Sequence, residues 1–247
     1  MFNGKKTVLI TGASRGIGAS LAENFASQNY NVVINYNNSE KEAMELLKKI
    51  RSVGGSAIAL KGNVSDFEDA RYLVEKSEEE FGSIDVLVNN AGIAEQKLFT
   101  DITEKDWKLM FDVNVHGMFN CTHHAVKKMI KKHSGKIINM SSMWGLTGGA
   151  CEVHYSASKA AVIGFTKALA KEIGPSGIQV NCVAPGLIDT GMNGKLSRNT
   201  IKELVESTPC SRIGTVQDVS NIVLFLASNE SDFITGEVIN INGGFIT

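Results

Sequence analysis

Apolar runs rich in β-branched residues alternate along this chain with stretches whose apolar positions follow the spacing of amphipathic helices. Runs that are apolar on both faces predict strands buried on both faces, and their alternation with helices predicts a parallel sheet covered by helices on each side. The predicted strands are residues 6–11, 32–35, 57–60, 86–88, 136–140, 178–183 and 238–241. We therefore predict an α/β fold with one doubly wound parallel sheet of about seven strands, in a single domain over residues 1–247.

Composition supports one globular domain and excludes two classes of partner. With 247 residues and 43% hydrophobic content, the chain can bury one large core without dividing. The net charge of −1 and the dispersed basic residues give no footprint for nucleic acid. The densest basic cluster ends the helix predicted from Glu104, where cations complement the helix dipole; it is Lys127, Lys128, Lys131 and Lys132. No segment has the roughly 18 apolar residues that span a bilayer, so we expect no membrane partner.

The cysteines and the first residues of the chain bear on its compartment. Cys121, Cys151, Cys182 and Cys210 have no close paired spacing, so neither a metal site nor a disulfide framework follows from them. The first six residues lack the apolar core of a secretory signal. We expect reduced thiols, no metal and a soluble protein in the cytoplasm.

A glycine-rich turn links the first predicted strand to a helical stretch over residues 19–27. Glycines let the backbone approach a pyrophosphate closely, and the amides at a helix N-terminus favour its negative charge. The three residues between the first two glycines depart from the G-x-G-x-x-G fingerprint, so a plain tight turn is the alternative. We predict a Rossmann-type dinucleotide site in this turn, on Gly12, Ser14, Arg15, Gly16, Ile17 and Gly18.

Tyr155 and Lys159 stand four residues apart, so they share one face of a predicted helix. A free tyrosine has a pKa near ~10, and a neighbouring cation lowers it toward the working pH of a general acid. We predict that Lys159 lowers the pKa of Tyr155 and that Ser142 holds a substrate oxygen beside the phenol. The alternative is an amphipathic helix whose tyrosine packs and whose lysine is solvated.

Several motifs in one order make the chain resemble the short-chain dehydrogenase/reductase family over nearly its whole length. They are Thr11-Gly12 with Gly16 and Gly18, Asn63-Val64, Asn89-Asn90-Ala91-Gly92, Asn114, Ser142, Tyr155 with Lys159, and Pro185-Gly186 with Thr190. The resemblance implies hydride transfer between a nicotinamide cofactor and a carbonyl. It also implies a catalytic tetrad, namely Asn114, Ser142, Tyr155 and Lys159.

In that tetrad Asn114 is expected to hold a water that links Lys159 to solvent, and the alternative is a polar residue that satisfies a helix irregularity. By the same resemblance, the remaining cofactor contacts are Asn63, Val64, Asn90, Ala91, Gly92, Tyr155, Lys159, Pro185, Gly186, Ile188 and Thr190. A family member that has lost catalysis and only binds a dinucleotide is a further alternative, disfavoured because all four tetrad positions are filled.

The end of the second predicted strand favours NADP(H) over NAD(H). An acidic residue there would bind the ribose 2′-hydroxyl of NAD. The run from Asn35 to Ser39 holds no carboxylate, while Asn37 and Arg15 offer donors to a 2′-phosphate. Glu40 weakens this argument, and a solvated Arg15 is the alternative.

Among family members the chain looks most like bacterial 3-oxoacyl-acyl-carrier-protein reductases, through the Gly-rich turn and the closing Asn242-Gly243-Gly244. Their partner would be acyl carrier protein, which is acidic. The basic residues that such reductases carry before the fifth and sixth strands are replaced here by His133 and Ser176. The lysine cluster at residues 127–132 is a possible substitute for docking.

The loop before Tyr155 departs from those reductases at Trp144, Cys151 and Glu152. It is similar to reductases of the 5-aminopentanone group on elongation factor P. We predict substrate contacts at Ser142, Trp144, Glu152 and Tyr155, with Glu152 suited to an ammonium group. The alternatives are that Glu152 only stabilises the helix N-terminus and that Trp144 only packs under the loop.

Two further expectations concern the periphery. Residues 191–209, with breakers around a short helical run, predict a substrate lid. Family members pair through the helices that correspond to residues 104–132 and 153–173, so we expect a homotetramer or a homodimer.

Overall fold

A computed structural model describes residues 4–191 and 198–246 of the chain. The strands are β1 (Thr7–Ile10), β2 (Asn31–Tyr36), β3 (Ser56–Lys61), β4 (Val86–Asn89), β5 (Gly135–Met140), β6 (Ile178–Pro185) and β7 (Val238–Ile241). The helices are α1 (Gly16–Ser27), α2 (Glu40–Ser52), α3 (Phe67–Phe81), α4 (Glu104–Phe111), α5 (Gly117–Lys132), α6 (Trp144–Thr147), α7 (Val153–Ile173), α8 (Arg198–Glu206) and α9 (Val216–Ala227).

The strands form one parallel sheet in the order β3-β2-β1-β4-β5-β6-β7. This confirms the predicted α/β fold, and each predicted strand matches an observed one to within one or two residues. The order reverses between β1 and β4, which creates a crevice at the carboxyl ends of these two neighbours. The loops after β1, β4, β5 and β6 therefore meet at one edge of the sheet.

Two apolar cores, one on each face of the sheet, hold the helices in place. Along β1, Val8 and Ile10 face the core under α1 and α9, whereas Leu9 faces the core under α3, α5 and α7. Successive side chains of a strand point to opposite faces, so a strand in a doubly covered sheet must be apolar throughout. That requirement explains why the strand signal was clear in the sequence.

The helix predicted over residues 104–132 is interrupted by one π-helical segment, Asp112–His116. Such segments insert an extra residue and turn the following helix, and they occur frequently at functional sites. Here the segment directs Asn114 into the interior, where it is only 2% exposed. Within the predicted lid, α8 is present, while residues 192–197 lie outside the described part of the chain. None of the described helices is long and apolar enough to cross a membrane.

Asn35 ties the glycine-rich turn to the sheet. Its Oδ1 accepts from the Gly12 amide at 3.1 Å, and its Nδ2 donates to the Gly62 carbonyl at 2.9 Å. Because the side chain is buried, removing it leaves both main-chain groups without these partners.

We expect Asn35→Ala to lower the free energy of unfolding by about 1–3 kcal/mol, the cost of buried polar groups left without a partner. Urea denaturation measures this change. The exposed Asn37→Ala is the matched control and should leave the midpoint unchanged. Equal midpoints for Asn35→Ala and the wild type would contradict a structural role for Asn35.

Candidate active site

The turn after β1 has the backbone geometry that its glycines predict. Gly12 and Gly16 have φ of +60° and +56°, in the left-handed region that other residues avoid. A Cβ on Gly18 would lie 2.5 Å from the Gly12 carbonyl oxygen, so only glycine permits this close packing of turn and helix. The helix α1 begins at Gly16, three residues before its predicted start, and no side chain caps its N-terminus. Its first amides therefore fit a phosphate.

Hydrogen bonds with the segment after β4 hold the glycine-rich turn in position. Asn90 Nδ2 donates to the carbonyls of Thr11 and Gly12 at 2.9 and 3.0 Å. Thr11 Oγ1 accepts from the amides of Asn90 and Ala91, both at 3.0 Å. The side chain of Asn90 thus acts on the proposed cofactor site through the loop backbone. In the sequence, only the Thr11-Gly12 motif indicated that Thr11 contributes to this site.

Some predicted cofactor residues face the site and others do not. Thr190, in the loop after β6, lies 3.6 Å from the position of a Cβ on Gly16, so these two loops do meet. The side chains of Val64 and Ile188 instead belong to the two apolar cores. Val64 packs against Gly117 and Ile188 packs against Gly214. Any contact of these two residues with a cofactor would therefore have to use their main chain.

Arg15 and Asn37 are exposed at the ends of β1 and β2, as expected for residues that read the 2′ position of a ribose. In the described part of the chain the guanidinium of Arg15 has no hydrogen-bond or ion-pair partner. Asn63 is more constrained, because its Oδ1 accepts from the amide and hydroxyl of Ser65 at 3.2 and 2.9 Å.

Ser142, Tyr155 and Lys159 come together at the carboxyl end of β5. The Ser142 hydroxyl lies close enough to the Tyr155 phenol to oppose the rise in its pKa, and it accepts a hydrogen bond from the Trp144 amide at 3.2 Å. Lys159 Nζ lies 5.7 Å from the centroid of the Tyr155 ring and donates to the Met140 carbonyl at 2.8 Å. The predicted shared face of α7 therefore carries the phenol and the amine, and Ser142 adds a hydroxyl from the loop after β5.

The pKa of Tyr155 shifts in the direction opposite to our prediction. Burial raises the pKa of the phenol to about 12; a hydrogen bond from Ser142 opposes the rise and the charge of Glu152 adds to it. Burial also lowers the pKa of Lys159 to about 8. The prediction that Lys159 lowers the pKa of Tyr155 is wrong for the protein groups alone. The main cause is burial of the phenol, and the amine of Lys159 donates to the Met140 carbonyl.

The side-chain amide of Asn114 forms hydrogen bonds with other residues of the protein. Its Oδ1 accepts from the Ile93 amide at 2.8 Å, and its Nδ2 donates to the Ile93 carbonyl and to Ser158 Oγ, both at 3.0 Å. The side chain thus links the loop after β4 to α7, which matches the alternative role of satisfying a helix irregularity. A Cβ on Gly92 would lie 3.2 Å from Asn114 Oδ1 and 3.3 Å from Lys159 Nζ, so a side chain at this position would crowd both polar atoms.

Trp144 and Glu152 lie on opposite ends of the loop before α7. The ring of Trp144 contacts Phe245 edge-on at 5.9 Å between centroids, so the indole packs at least partly against the C-terminal segment. Glu152 Oε1 accepts from Gln96 Nε2 at 3.1 Å, and its side chain makes no cap hydrogen bond to α7. Burial raises the pKa of Glu152, while Gln96 and His154 oppose that shift.

Two residues at this site carried no functional prediction from the sequence. His154 is fully buried, and within the described chain neither ring nitrogen has a hydrogen-bond partner. Glu95 Oε2 lies 3.8 Å from its Nε2. Phe245 reaches Trp144 from the other end of the chain. No local pattern signals either contact, since both depend on how distant loops pack.

Comparison with known proteins agrees with this geometry. A family model described as enoyl-(acyl carrier protein) reductase matches residues 12–246. The 3-oxoacyl-(acyl-carrier-protein) reductase of Staphylococcus aureus is 41% identical over 239 residues, which are 97% of each chain. That of Aquifex aeolicus is also 41% identical over 239 residues, covering 97% of this chain and 96% of the relative. The crystal structure of the corresponding reductase from Brucella melitensis superposes with a TM-score of 0.91 at 35% identity, over 98% of this chain and 92% of that one.

Proposed function

This chain belongs to the short-chain dehydrogenase/reductase family, whose members are oxidoreductases that use a nicotinamide dinucleotide, and we propose that it reduces a ketone to a secondary alcohol with NADPH. The preferred substrate class is a 3-oxoacyl group on a carrier protein, as in the names of its relatives. The observation that supports the proposal is the cluster of Ser142, Tyr155 and Lys159 at the carboxyl end of β5, with Lys159 next to Gly92 in the loop after β4. We place this activity in the cytoplasm, in keeping with four free cysteines.

The residues around the turn fit a dinucleotide, with the pyrophosphate on the first amides of α1 and the ribose of the nicotinamide near Tyr155 and Lys159. When bound, NADPH supplies the hydride. Ser142 donates a hydrogen bond to the carbonyl oxygen and Tyr155 gives that oxygen its proton, so charge does not accumulate there. Lys159, with a pKa of about 8, is suited to pass a proton back to Tyr155. Because the Asn114 side chain is occupied, any relay through Asn114 falls to its main-chain carbonyl.

We expect Arg15→Ala to raise the KM for NADPH about tenfold and to change the KM for NADH little. The exposed guanidinium would lose a charge-assisted hydrogen bond to the 2′-phosphate, a group that NADH lacks. Initial rates with both cofactors measure this difference. Arg71→Ala, which removes an exposed arginine of α3 that is paired with Glu68, is the matched control. A similar rise for both cofactors would assign Arg15 to general loop stability.

Two of the four lysines proposed for carrier docking already make hydrogen bonds within the chain. Lys128 Nζ donates to the Gly82 carbonyl at 2.6 Å, and Lys132 Nζ donates to Asp85 at 2.6 Å. These two lysines are engaged with the loop before β4. Lys127 and Lys131 remain exposed, and we propose them as the docking cations for an acidic carrier.

One observation favours a second candidate, reduction of the 5-aminopentanone group on elongation factor P. Glu152 lies close enough to Tyr155 to raise the pKa of the phenol, and no Lys or Arg in the described chain forms an ion pair with it. A partly buried carboxylate beside the catalytic phenol suits a substrate that carries an ammonium group. An uncharged acyl chain would gain no favourable interaction with this carboxylate.

A direct test compares NADPH oxidation with acetoacetyl thioester and with elongation factor P that carries 5-aminopentanone, for the wild type and Glu152→Gln. For a 3-oxoacyl reductase we expect thioester turnover that Glu152→Gln changes less than threefold, since no charge on the substrate faces the carboxylate. Turnover of the modified factor alone, weakened about tenfold or more by Glu152→Gln, would support the second candidate. Glu45→Gln, an exposed change on α2, is the control.

We also propose that copies of this chain pair through the face formed by α4, α5 and α7. Trp107, Leu109, Phe119 and Val153 expose apolar surface there. Light scattering distinguishes a monomer from the dimer or tetramer that we expect.

A further inference from the structure

Two carboxylates, those of Glu95 and Glu152, lie close to one buried histidine, His154. Glu95 Oε2 is 3.8 Å from His154 Nε2, and His154 acts on Glu152 by opposing the rise in the pKa of its carboxyl. Glu152 in turn adds to the rise in the pKa of Tyr155. These four side chains therefore form one cluster, which includes the phenol that is proposed to donate the proton.

Hydrogen bonds between two loops hold these carboxylates in place. Gln96 Nε2 donates to Glu152 Oε1 at 3.1 Å, and the Lys97 amide donates to the Cys151 carbonyl at 2.7 Å. These bonds join the loop after β4, which carries Glu95, to the loop that ends at Glu152, directly before α7. Like charges near each other disfavour the ionised state of both groups unless a cation lies close by. The fold therefore places two carboxylates where a positive charge would stabilise them.

Over residues 4–191 and 198–246, neither carboxylate forms an ion pair with a lysine or an arginine. Lys97 is close in sequence to Glu95, but its Nζ is paired with Asp106 Oδ2 at 2.6 Å. Gln96 uses only one oxygen of Glu152, and a carboxylate can accept several hydrogen bonds. A positively charged ligand would therefore find acceptor positions on both glutamates.

His154 presents a buried acceptor that no described protein group uses. Its side chain is fully buried, and neither ring nitrogen has a hydrogen-bond partner among the residues that the structure describes. Buried polar groups almost always have partners, so an unpaired imidazole points to a ligand or to a role in the reaction. A neutral imidazole keeps one nitrogen as an acceptor, and here Nε2 is the nitrogen that faces Glu95.

The spacing of these acceptors suits an ammonium nitrogen. Two acceptors 3.8 Å apart can both lie about 2.8 Å from one nitrogen, the usual length of a charge-assisted hydrogen bond. Glu152 offers a further acceptor close to Tyr155, and a primary ammonium has three N–H donors. The side chain of Glu95 is 51% exposed, so a ligand can reach the cluster from solvent on that side.

We propose that Glu95, Glu152 and His154 form a binding site for an ammonium group of the ketone substrate, and that this site selects cationic ketones over uncharged ketones of the same shape. The inference rests on the proposed ketone reduction, and it adds Glu95 and His154 to Glu152 as residues that determine specificity. An ammonium group gains charge-assisted hydrogen bonds here, whereas an uncharged group leaves the carboxylates and the imidazole without a partner.

The test compares NADPH oxidation with two ketones of equal shape and different charge. In 5-(dimethylamino)pentan-2-one the amine is protonated at neutral pH, and in 6-methylheptan-2-one a carbon replaces this nitrogen. We expect kcat/KM to be about 10- to 100-fold higher for the cationic ketone, the usual range for hydrogen bonds to charged groups. Both ketones would take their proton from Tyr155, so a change in the acidity of the phenol cancels in this ratio.

Variants of the three residues should change the ratio of kcat/KM in different ways. Glu95→Gln and Glu152→Gln should each lower it by about tenfold, because each removes one negative charge from the site. His154→Phe keeps the size of the ring and should lower the ratio about fivefold, whereas His154→Gln keeps an acceptor and should restore most of it. Glu80→Gln, an exposed change on α3, is the matched control and should keep the wild-type ratio.

Calorimetry with the corresponding alcohols, added to the enzyme with NADP⁺, measures recognition without turnover. If neither ketone is reduced but the amino alcohol binds more tightly and Glu95→Gln removes this preference, the ammonium site stands and the proposed function fails. If both ketones are reduced with equal kcat/KM, ketone reduction stands and the ammonium site is overturned. A preference for the cationic ketone that Glu95→Gln leaves as strong as Glu80→Gln does would also overturn it. Should His154→Phe fail to fold, the exposed Glu95→Gln decides the question.

Discussion

Replacing Tyr155 with phenylalanine should leave NADPH bound but lower the turnover of a ketone by at least about 100-fold, the usual contribution of a general acid. Phenylalanine keeps the ring that lies beside Lys159 Nζ and removes only the hydroxyl. Single-turnover rates with saturating NADPH measure the chemical step, and fluorescence titration measures binding of the cofactor.

The raised pKa of Tyr155 also predicts how turnover depends on pH. A phenol with a pKa of about 12 stays protonated across the working pH range, so it is always ready to donate a proton during reduction. Reduction should therefore change little between about pH 6 and 8, apart from effects on Lys159. Tyr72→Phe, an exposed tyrosine on α3, is the matched control and should behave as the wild type. Near-normal turnover by Tyr155→Phe would remove Tyr155 from the mechanism.

Adding one methyl group at Gly18 should weaken NADPH binding by about 10- to 100-fold, which corresponds to an overpacking cost of about 1–3 kcal/mol. The Cβ of Gly18→Ala would lie 2.5 Å from the Gly12 carbonyl oxygen and 2.8 Å from Ala13 Cα, both backbone atoms that cannot swing aside. The turn must therefore move away from α1, and the amides that would hold the pyrophosphate move with it. Titration of NADPH with the folded variant measures the loss.

The matched control is Gly164→Ala in α7, where nothing lies within 4 Å of the new methyl group. Alanine is the better helix former, so this variant should bind NADPH normally and gain about 0.5–1 kcal/mol in the free energy of unfolding. Thermal unfolding of both variants shows whether a loss of binding reflects a general loss of structure. Unchanged NADPH affinity in Gly18→Ala would contradict the proposed location of the pyrophosphate.

Much of the geometry of the candidate site could be predicted because its parts are local. The i, i+4 spacing of Tyr155 and Lys159 is a property of helical backbone geometry, so it needs no knowledge of the fold. The positive φ of Gly12 and Gly16 likewise follows from residue type in a tight turn. The resemblance to a known family then placed Ser142 and Asn114 beside them.

The features that the sequence did not reveal all depend on distant atoms. Val64 and Ile188 fall on motif positions, yet Gly117 and Gly214 make room for their side chains in the cores. Two of the four clustered lysines reach the loop before β4, about 47 residues away along the chain. The single predicted helix over residues 104–132 contains a π-helical segment that the apolar periodicity does not reveal.

By itself the sequence determined the order of strands and helices and the parallel sheet, because these follow from apolar periodicity. Local spacing and the family resemblance together indicated the residues proposed to carry the chemistry. Only the tertiary structure decided the direction in which the pKa of Tyr155 shifts and the partners of Asn114. A pKa depends on how completely water is excluded and on which charges lie nearby. Those quantities arise where segments far apart in the chain pack together, and no local pattern contains them.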